Sequence, residues 1–518
     1  MNLPQVARLM AGFGGFFTLA QAPSLAFALV ERNRTTLRPV AGFAAGMAIA
    51  ATVTLALWIY GRRERGQVFR RETIAVAGLA WFLAGVLGAI PFWWSGLLPA
   101  TTDALFESIS GLTTCGATTL GSGPNMAIAD VPASLLLWRA MLQWVGGIGI
   151  VLVFVTLLPA MGVAAKNLLA SESVGVTTDT YLPRAVERAR VVAGIYVGMT
   201  ALCTVLLVAI GGFGWFDALC HAFTTMATGG YSTRASLAEF DSLGGELVLI
   251  VFMFAAGASL AFVATHFRTG SRCLRTLAAS GEFRIYLACT VLVVGTITSA
   301  LVRAGLPIAT ALRQAAFNGV SVLTSTGYAT ADFQAWPAMA TVVLFCSMLV
   351  GGCSGSTAGG FKQVRLLVSL RLLGYTVRHF VRPKSVERIK LDNEVLPAAV
   401  ISSIVAIVML WCVTVAIGAV VVSWDERMNF VSAFATSASM MGSCGPALTI
   451  VEPASAQSIV TAGTGTAAVL AGTPNVGPFG GFGELQPWTK LVLSLEMVLG
   501  RLELLTVLAL FTPSFWRR

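Results

Sequence analysis

The sequence predicts an all-α membrane protein. Four parallel repeats of span, pore helix and span surround one axis with pseudo-fourfold symmetry, and two extra transmembrane helices precede them. The first observation is composition, since 56% of the 518 residues are hydrophobic and 11% are charged, against about 25% charged in soluble proteins. The second is a series of uncharged runs of about 20 residues, the length that crosses a bilayer as a helix. The third is a Gly-containing segment that recurs four times. We expect ten full spans in all.

The positive charges indicate the orientation of the chain. The net charge of +10 could suggest a nucleic-acid partner, but Lys and Arg concentrate in alternate loops, as the positive-inside rule predicts. We therefore expect no nucleic-acid partner, a multi-pass membrane protein, and both termini in the cytoplasm. The first span could instead be a cleaved signal peptide, because Arg8 precedes it and "AQA" at 20–22 resembles a cleavage site.

Four short segments, each between two apolar runs, define the repeat. A helical piece of about a dozen residues, too short to cross a bilayer, precedes each segment. Because each repeat crosses the membrane an even number of times, all four have the same orientation. The segments read GLTTCGATT (111–119), TTMATGGYST (224–233), LTSTGYATAD (323–332) and MMGSCGPALT (440–449), and aligning them by sequence makes Gly116, Gly229, Gly327 and Gly445 equivalent. The expected units are an N-terminal pair (1–60) and pore repeats at 61–165, 166–268, 269–390 and 391–518.

The recurring segments have the chemistry of a cation pore. Non-helical backbone at membrane depth is tolerated where it lines an aqueous cavity, and glycine lets successive carbonyl oxygens point toward one axis. Rings of carbonyls can replace the water shell of a cation, and the C-terminal ends of the short helices favour positive charge. No carboxylate lies near the central glycines, so a divalent-ion site is disfavoured and a monovalent alkali cation is expected. Small-residue packing between membrane helices is the alternative for any single segment.

These segments, together with three others, resemble a known family. The others are "LQWVGGIGI" (142–150), "GGCSGSTAGGFK" (351–362) and the C-terminal "GRLELLTVLALFTPSFWRR" (500–518). In combination they resemble the Trk/Ktr/HKT superfamily of potassium transporters, above all its TrkH membrane subunits, over essentially the whole chain. The resemblance implies potassium uptake through a selectivity filter in a bacterial cytoplasmic (inner) membrane, and implies that the chain is not an enzyme.

The resemblance also implies which residues form the filter. A glycine at position 116, where sodium-transporting relatives have serine, favours potassium, and a sodium or mixed sodium/potassium transporter is the alternative. Cys115 and Cys444 depart from the residue types expected there, which we expect to tune conduction because backbone carbonyls are the ligands. The implied potassium-filter residues are Thr114, Cys115, Gly116, Ala227, Thr228, Gly229, Ser325, Thr326, Gly327, Ser443, Cys444 and Gly445.

A Gly- and Ser-rich stretch interrupts the second span of the third repeat and is the candidate gate. As a continuous helix it would be penalised by about 1 kcal/mol per glycine, so an interrupted helix lining the cavity is the better interpretation. The resemblance implies an intramembrane gating loop at 351–360 that blocks the ions until it moves. Arg501 lies in the middle of the last span, where a charge marks an ion path, and it is expected to act as an electrostatic barrier. The implied gate residues are Gly351, Gly352, Ser354, Gly355, Ser356, Gly359, Gly360, Lys362 and Arg501.

Four polar side chains near these elements have other expected roles. Arg139 and Gln143 share one helix face, and we expect them to snorkel or pack rather than to contact the ions. Glu107 is expected to bond buried backbone behind the filter. Lys362 could either snorkel inward or contact the gate. The loop 448–487 is low in complexity, and the sequence assigns it no role.

The remaining expectations concern cofactors and partners. The chain has no P-loop and no dinucleotide fingerprint after a strand, so we expect potassium as cargo and no nucleotide on this chain. The resemblance implies a soluble TrkA-type nucleotide-binding regulatory subunit and a homodimer. A membrane-embedded enzyme would need clustered carboxylates or histidines, and a secondary transporter for an organic solute usually has inverted repeats. The sequence leaves open whether flux is passive or is proton or sodium symport.

Overall fold

The computed structural model describes residues 1–31, 37–64, 70–157, 181–266, 271–383, 388–392, 394–449, 473–502 and 504–516. Two expected repeat boundaries, at 165–166 and 268–269, lie outside these residues. So do 450–472 of the loop after the fourth segment and Glu503, which follows Arg501 by two positions.

The two N-terminal spans pack against each other, but the first is not one continuous helix. It consists of α1 (Leu3–Ala20) and α2 (Ala22–Glu31), and α3 (Pro39–Gly61) is the second span. The interruption falls at Gln21, which is fully buried and whose side-chain amide has no hydrogen-bond partner in the described part of the chain. Pro23 explains the interruption, because it lacks the N–H that would continue the backbone ladder of α1.

Each of the four repeats begins with a long apolar helix, followed by a short buried helix and a second span. Repeat 1 contains α4 (Arg70–Trp94), α5 (Thr101–Leu112) and α6 (Ala133–Leu157). Repeat 2 contains α7 (Tyr181–Ala209), α8 (Trp215–Met226), α9 (Leu243–Gly257) and α10 (Leu260–His266).

Repeats 3 and 4 follow the same plan with additional short elements. Repeat 3 contains α11 (Ser271–Ala279), α12 (Gly281–Arg303), α13 (Ile308–Leu323), α14 (Ala338–Val350) and α15 (Gln363–Val381). A two-stranded antiparallel ribbon, β1 (Lys390–Leu391) with β2 (Glu394–Val395), pairs Lys390 with Val395. Repeat 4 contains α16 (Ala398–Val422), α17 (Phe430–Gly442), α18 (Pro487–Arg501), α19 (Leu504–Phe511) and α20 (Pro513–Trp516).

The sequence predicted an interrupted second span in repeat 3 alone, but the second spans of other repeats are interrupted as well. In the described residues, seven helical stretches are long and apolar enough to cross a membrane, and the other three expected spans end early. The helix breaks between α9 and α10 and between α14 and α15, across the segment expected to be the gating loop, and α18 ends at Arg501. Ala258, for example, has extended backbone angles (φ −77°, ψ 163°) directly after α9. In the part of the chain described, α6 of repeat 1 is the only second span without such a break.

The core of the molecule lies around the short helices. Every residue of α5 from Phe106 to Leu112 is buried, and the largest apolar cluster joins repeat 1 to repeat 4 through side chains such as Phe106, Trp138, Leu493 and Met497. Burial increases toward the C-terminal ends of the short helices, so the loops that follow them lie inside the protein.

Candidate functional site: a ring of four loops

The four short helices end in the same backbone motif. One residue adopts left-handed angles, at Thr114, Thr228, Ser325 and Ser443, with φ between 51° and 54°. The N–H of the next residue then donates to the carbonyl five positions earlier, as in the Schellman cap. The bonds run from Cys115 to Ser110 (2.9 Å), Gly229 to Thr224 (2.8 Å), Thr326 to Ser321 (2.8 Å) and Cys444 to Ser439 (3.1 Å). The repeat seen in the sequence is therefore a repeat of backbone conformation.

A glycine with positive φ follows two residues after each left-handed residue. These ring glycines are Gly116 (83°), Gly230 (76°), Gly327 (82°) and Gly445 (96°). The alignment by sequence had chosen Gly229 for the second loop, so the backbone shifts that loop by one residue. Gly229 corresponds to Cys115, and Ala227 is the C-cap of α8, the position that Thr113 has in α5. The sequence could not distinguish two adjacent glycines, because only the backbone angle separates them.

The loops close into a ring, here numbered loop 1 (113–119), loop 2 (227–233), loop 3 (324–330) and loop 4 (442–448). A side chain on Gly116 would collide with the carbonyl oxygen of Gly229. In the same way Gly230 faces Thr326, Gly327 faces Cys444, and a Cβ on Gly445 would lie 2.6 Å from the oxygen of Cys115. Each loop thus contacts the next, and the fourth returns to the first.

Side chains behind the ring brace the segments that leave it. Nine residues before each ring glycine stand Glu107, His221, Asn318 and Thr436. The Glu107 carboxylate accepts from the Thr119 N–H (2.9 Å), the His221 ring lies 3.0 Å from the Ser232 hydroxyl, and Asn318 accepts from the Thr330 N–H (3.2 Å). The Thr436 hydroxyl has no partner among the described residues. Glu107 therefore bonds buried backbone, as its position in the sequence suggested.

Arg139 lies behind loops 1 and 2 rather than at a membrane surface. Its guanidinium donates to Glu107 at 2.8 Å and lies 4.0 Å from the centre of the Tyr231 ring, with Arg139 only 1% exposed. Of the two roles expected for Arg139, it has the packing role and does not snorkel. A glutamate in one short helix and an arginine in the following span could have indicated this pair from sequence.

Gln143, one turn along α6, contacts the ring itself. Its side-chain N–H donates to the Gly229 carbonyl at 2.7 Å, and its oxygen accepts from the Tyr231 N–H at 3.2 Å. Gln143 is fully buried. The sequence placed it on the face shared with Arg139 but indicated packing as its role, because the loop it meets is 86 residues away.

The gating loop lies against the end of the ring at which the short helices terminate. The Thr357 hydroxyl donates to the Met226 carbonyl (3.0 Å) at the end of α8, and the Gly360 N–H donates to the Gly442 carbonyl (3.0 Å) at the end of α17. The Gly359 N–H donates to the Ser325 hydroxyl at 2.5 Å. This segment therefore touches loops 3 and 4 and the end of the helix that leads into loop 2.

Two positive side chains contact the gating loop. Arg501 donates to the Thr357 carbonyl at 2.6 Å and is 4% exposed, while its Nε and second terminal nitrogen are buried and have no hydrogen-bond partner among the residues that the structure describes. The ammonium of Lys362 donates to the Ala358 carbonyl, so of the two expected placements it has the contact with the gate. Arg365 joins them in lining one cavity. The structure thus collects positive charge directly beneath the ring.

Part of the loop without a predicted role covers the opposite face. Residues 473–486 return across the segments that leave the ring: Val476 accepts from the Ala447 N–H (2.8 Å), and the Phe482 N–H donates to the Thr118 carbonyl (2.8 Å). Gln334 joins the same layer by accepting from the Thr449 N–H at 2.7 Å. The described end of this loop therefore fastens repeat 4 to repeats 1 and 3.

Comparisons with known proteins agree with this architecture. A family model for TrkH, cation transport protein, matches residues 40–463. The Trk system potassium uptake protein TrkH of Salmonella typhimurium is 33% identical over 475 residues, covering 90% of this chain and 91% of that protein. Its namesake from Halomonas elongata is 31% identical over 527 residues and 100% of both. The crystal structure of the potassium transporter TrkH from Vibrio parahaemolyticus matches with a TM-score of 0.83, at 28% identity and 100% coverage of both chains.

The fold and the family now support one another. The all-α membrane architecture predicted from sequence is confirmed by the solved structure it matches, and the family model describes transporters rather than enzymes. With its long apolar helices, this chain is a multi-pass membrane protein, and it belongs to the TrkH family of cation transport proteins.

Proposed function

We propose that this protein carries potassium ions into the cell across the cytoplasmic membrane, through a selectivity filter formed by the four loops. The observation that carries the proposal is the closed ring, in which each ring glycine lies against a carbonyl of the next loop. Relatives over most of the chain are potassium uptake proteins by name. Such a ring offers oxygen atoms at fixed positions, which is what a cation needs when it loses its water.

The chemistry of the ring favours a monovalent cation. All four left-handed residues carry hydroxyls, and those of Thr114 and Ser443 have no hydrogen-bond partner in the described part of the chain. The buried carboxylate of Glu107 is bonded to Arg139 behind the ring. Carbonyl and hydroxyl oxygens without a carboxylate suit an alkali ion better than calcium or magnesium. The short helices add the partial negative charge of their C-terminal ends.

The gating loop and Arg501 would control passage beneath the filter. The loop is bonded to the ends of α8 and α17 and to Ser325, so it lies in the path that ions leaving the ring would take. Arg501 holds the loop through Thr357 and adds a positive charge with no carboxylate bonded to it among the described residues. Opening requires the loop to leave these contacts and Arg501 to shift or to be neutralised.

The setting of this activity follows from the sequence and the relatives. The distribution of Lys and Arg supports cytoplasmic termini, and the relatives belong to a Trk system, which supports a soluble TrkA-type regulatory subunit. The resemblance also supports a homodimer. The chain itself carries no nucleotide motif, so nucleotide control would come through the partner.

The test is rubidium uptake by the purified protein in liposomes, with sodium added as competitor. We expect rubidium uptake that potassium suppresses and sodium does not. Gly116→Ala should abolish that preference, because the methyl group would displace the Gly229 carbonyl. Gly198→Ala is the matched control, since its methyl group would meet no atom within 4 Å. Equal competition by sodium in the unmodified protein would favour the mixed transporter, and no uptake of either ion would refute the proposal.

A further inference from the structure

The four loops of the ring differ in the hydrogen bonds made to their carbonyl groups. Among the carbonyls that face the ring glycines, those of Cys115, Thr326 and Cys444 accept no side-chain hydrogen bond within the described residues, whereas that of Gly229 accepts from Gln143 at 2.7 Å. The same amide accepts from the Tyr231 N–H at 3.2 Å. One side chain thus holds the residues on both sides of Gly230, the glycine that completes the ring in loop 2.

Gln143 and Gly229 also depend on each other sterically. The other three loops have Cys115, Thr326 and Cys444 at the position of Gly229. A Cβ there would overlap the Gln143 amide carbon and lie 2.8 Å from its nitrogen. The amide therefore occupies the space that a side chain takes in the other loops, and any residue larger than glycine at 229 would expel it.

In repeats 2 and 4, the position equivalent to Gln143 carries methionine. Gly146 of α6 and Gly500 of α18 lie against the carbonyls of Leu112 and Met441, and Gly147 of α6 and Gly257 of α9 lie against Ala227 and Thr324. Gln143 precedes Gly146 by three residues, as Met497 precedes Gly500, and it precedes Gly147 by four, as Met253 precedes Gly257. Gln143 is therefore equivalent to Met253 and Met497, which are both fully buried. Methionine can fill this position but cannot donate to a carbonyl. The amide is therefore a feature of loop 2 and not a requirement of the fold.

We propose that Gln143 is a positioning residue that holds loop 2 in the ring and thereby sets the discrimination between potassium and sodium. The inference rests on the proposed function, since it assigns a role within the same filter. A carbonyl ring that can contract around a smaller ion loses selectivity. By bonding the Gly229 oxygen and the Tyr231 N–H, Gln143 opposes the rotation of the two peptide groups around Gly230 that contraction would need.

The experiment compares the uptake ratio of rubidium to sodium in liposomes for the unmodified protein, Gln143→Met and Met253→Leu. Gln143→Met installs the residue that the protein already uses at the equivalent positions, and it removes the donor while keeping the bulk. We expect the ratio to fall about fivefold, the effect of one hydrogen bond, with total rubidium uptake retained. Met253→Leu should leave the ratio unchanged.

A second variant covers the case in which Gln143→Met does not fold. Gln143→Asn keeps the amide but draws it back by one carbon, so it should lower the ratio in the same direction. An unchanged ratio in a folded Gln143 variant, or an equal fall in Met253→Leu, would overturn the inference. Absence of a rubidium preference in the unmodified protein would instead refute the proposed function, so the two failures can be told apart.

Discussion

Repeats 1 and 4 have the same fold, but the polar groups behind their loops are satisfied to very different degrees. Behind loop 1, Glu107 bonds Thr118, Thr119 and Arg139. Behind loop 4 the corresponding Thr436 hydroxyl has no partner, and neither do the Ser432 hydroxyl and one oxygen of Glu496, within the described residues. Unpaired buried polar groups cost free energy. The polar groups of repeat 1 therefore hold loop 1 more firmly than those of repeat 4 hold loop 4.

The difference coincides with the position of the gating loop. That loop bonds Gly442 at the end of α17 and Arg501 of α18, both in repeat 4, and it also bonds Met226 of repeat 2 and Ser325 of repeat 3. Elements that move are drawn from the less stable parts of a protein. A ring held firmly in repeat 1 can keep its geometry while the loop that contacts the other three repeats changes its contacts.

The largest effect should come from breaking the buried pair in repeat 1. Arg139→Met leaves the Glu107 carboxylate buried without its cation, a loss of about 3–5 kcal/mol, and should lower thermal stability in detergent sharply. The double variant Glu107→Leu with Arg139→Met should recover much of the loss, because no unpaired charge remains. Arg313→Met, whose pair with Glu246 is partly exposed, should cost about 1 kcal/mol or less. Equal losses for the two single variants would contradict the comparison.

The next effect concerns repeat 4 and the gate. Arg501→Ala removes a positive charge beneath the ring and the bond to Thr357, and a hydrogen bond to a charged group contributes about 1.5–3 kcal/mol. We expect rubidium uptake in liposomes to rise at least about tenfold without loss of the folded protein. Arg303→Ala, at the exposed end of α12, is the control and should leave uptake unchanged. A fall in uptake for Arg501→Ala would show that the charge assists conduction.

A matched pair of threonines makes the comparison sharper. Thr118→Val deletes a hydroxyl that bonds Glu107 and accepts from Arg139, and should cost about 1–2 kcal/mol. Thr436→Val deletes a hydroxyl that has no partner among the described residues and should change stability by no more than about 0.5 kcal/mol. Thermal denaturation of both variants measures the difference, and a larger loss in Thr436→Val would reverse the ranking of the two repeats.

The smallest effect is expected at the outer end of repeat 4, where Asp425 is well bonded. Burial alone would raise the pKa of this carboxyl, but hydrogen bonds from the Gln486 backbone and the Arg427 side chain lower it below its ordinary value. A lowered folded-state pKa contributes stability above the unfolded pKa, and this is lost as the pH falls through the folded value. Asp425→Asn should therefore flatten the decline of melting temperature below about pH 4. An unchanged decline would contradict this assignment.

The spans, the four short helices and the meeting of their loops could be predicted from the sequence, because apolar length and a recurring Gly-containing segment are local signals. The register of loop 2 could not, since Gly229 and Gly230 differ only in backbone angle. The roles of Arg139 and Gln143 depend on partners distant in sequence. Breaks after Gly257 and Arg501 were missed because those runs read as continuous apolar helices. The gating roles of 351–360 and Arg501 stay predictions.

Substitutions at the ring will not act on one loop alone. Because each ring glycine lies against a carbonyl of the following loop, a methyl group at Gly327 would displace loop 4, and one at Gly445 would displace loop 1. A genetic screen for restored growth should then recover second-site suppressors in the neighbouring loop, always in the same rotational sense. Mutations in the four segments would then be genetically coupled, although the segments lie far apart in the sequence.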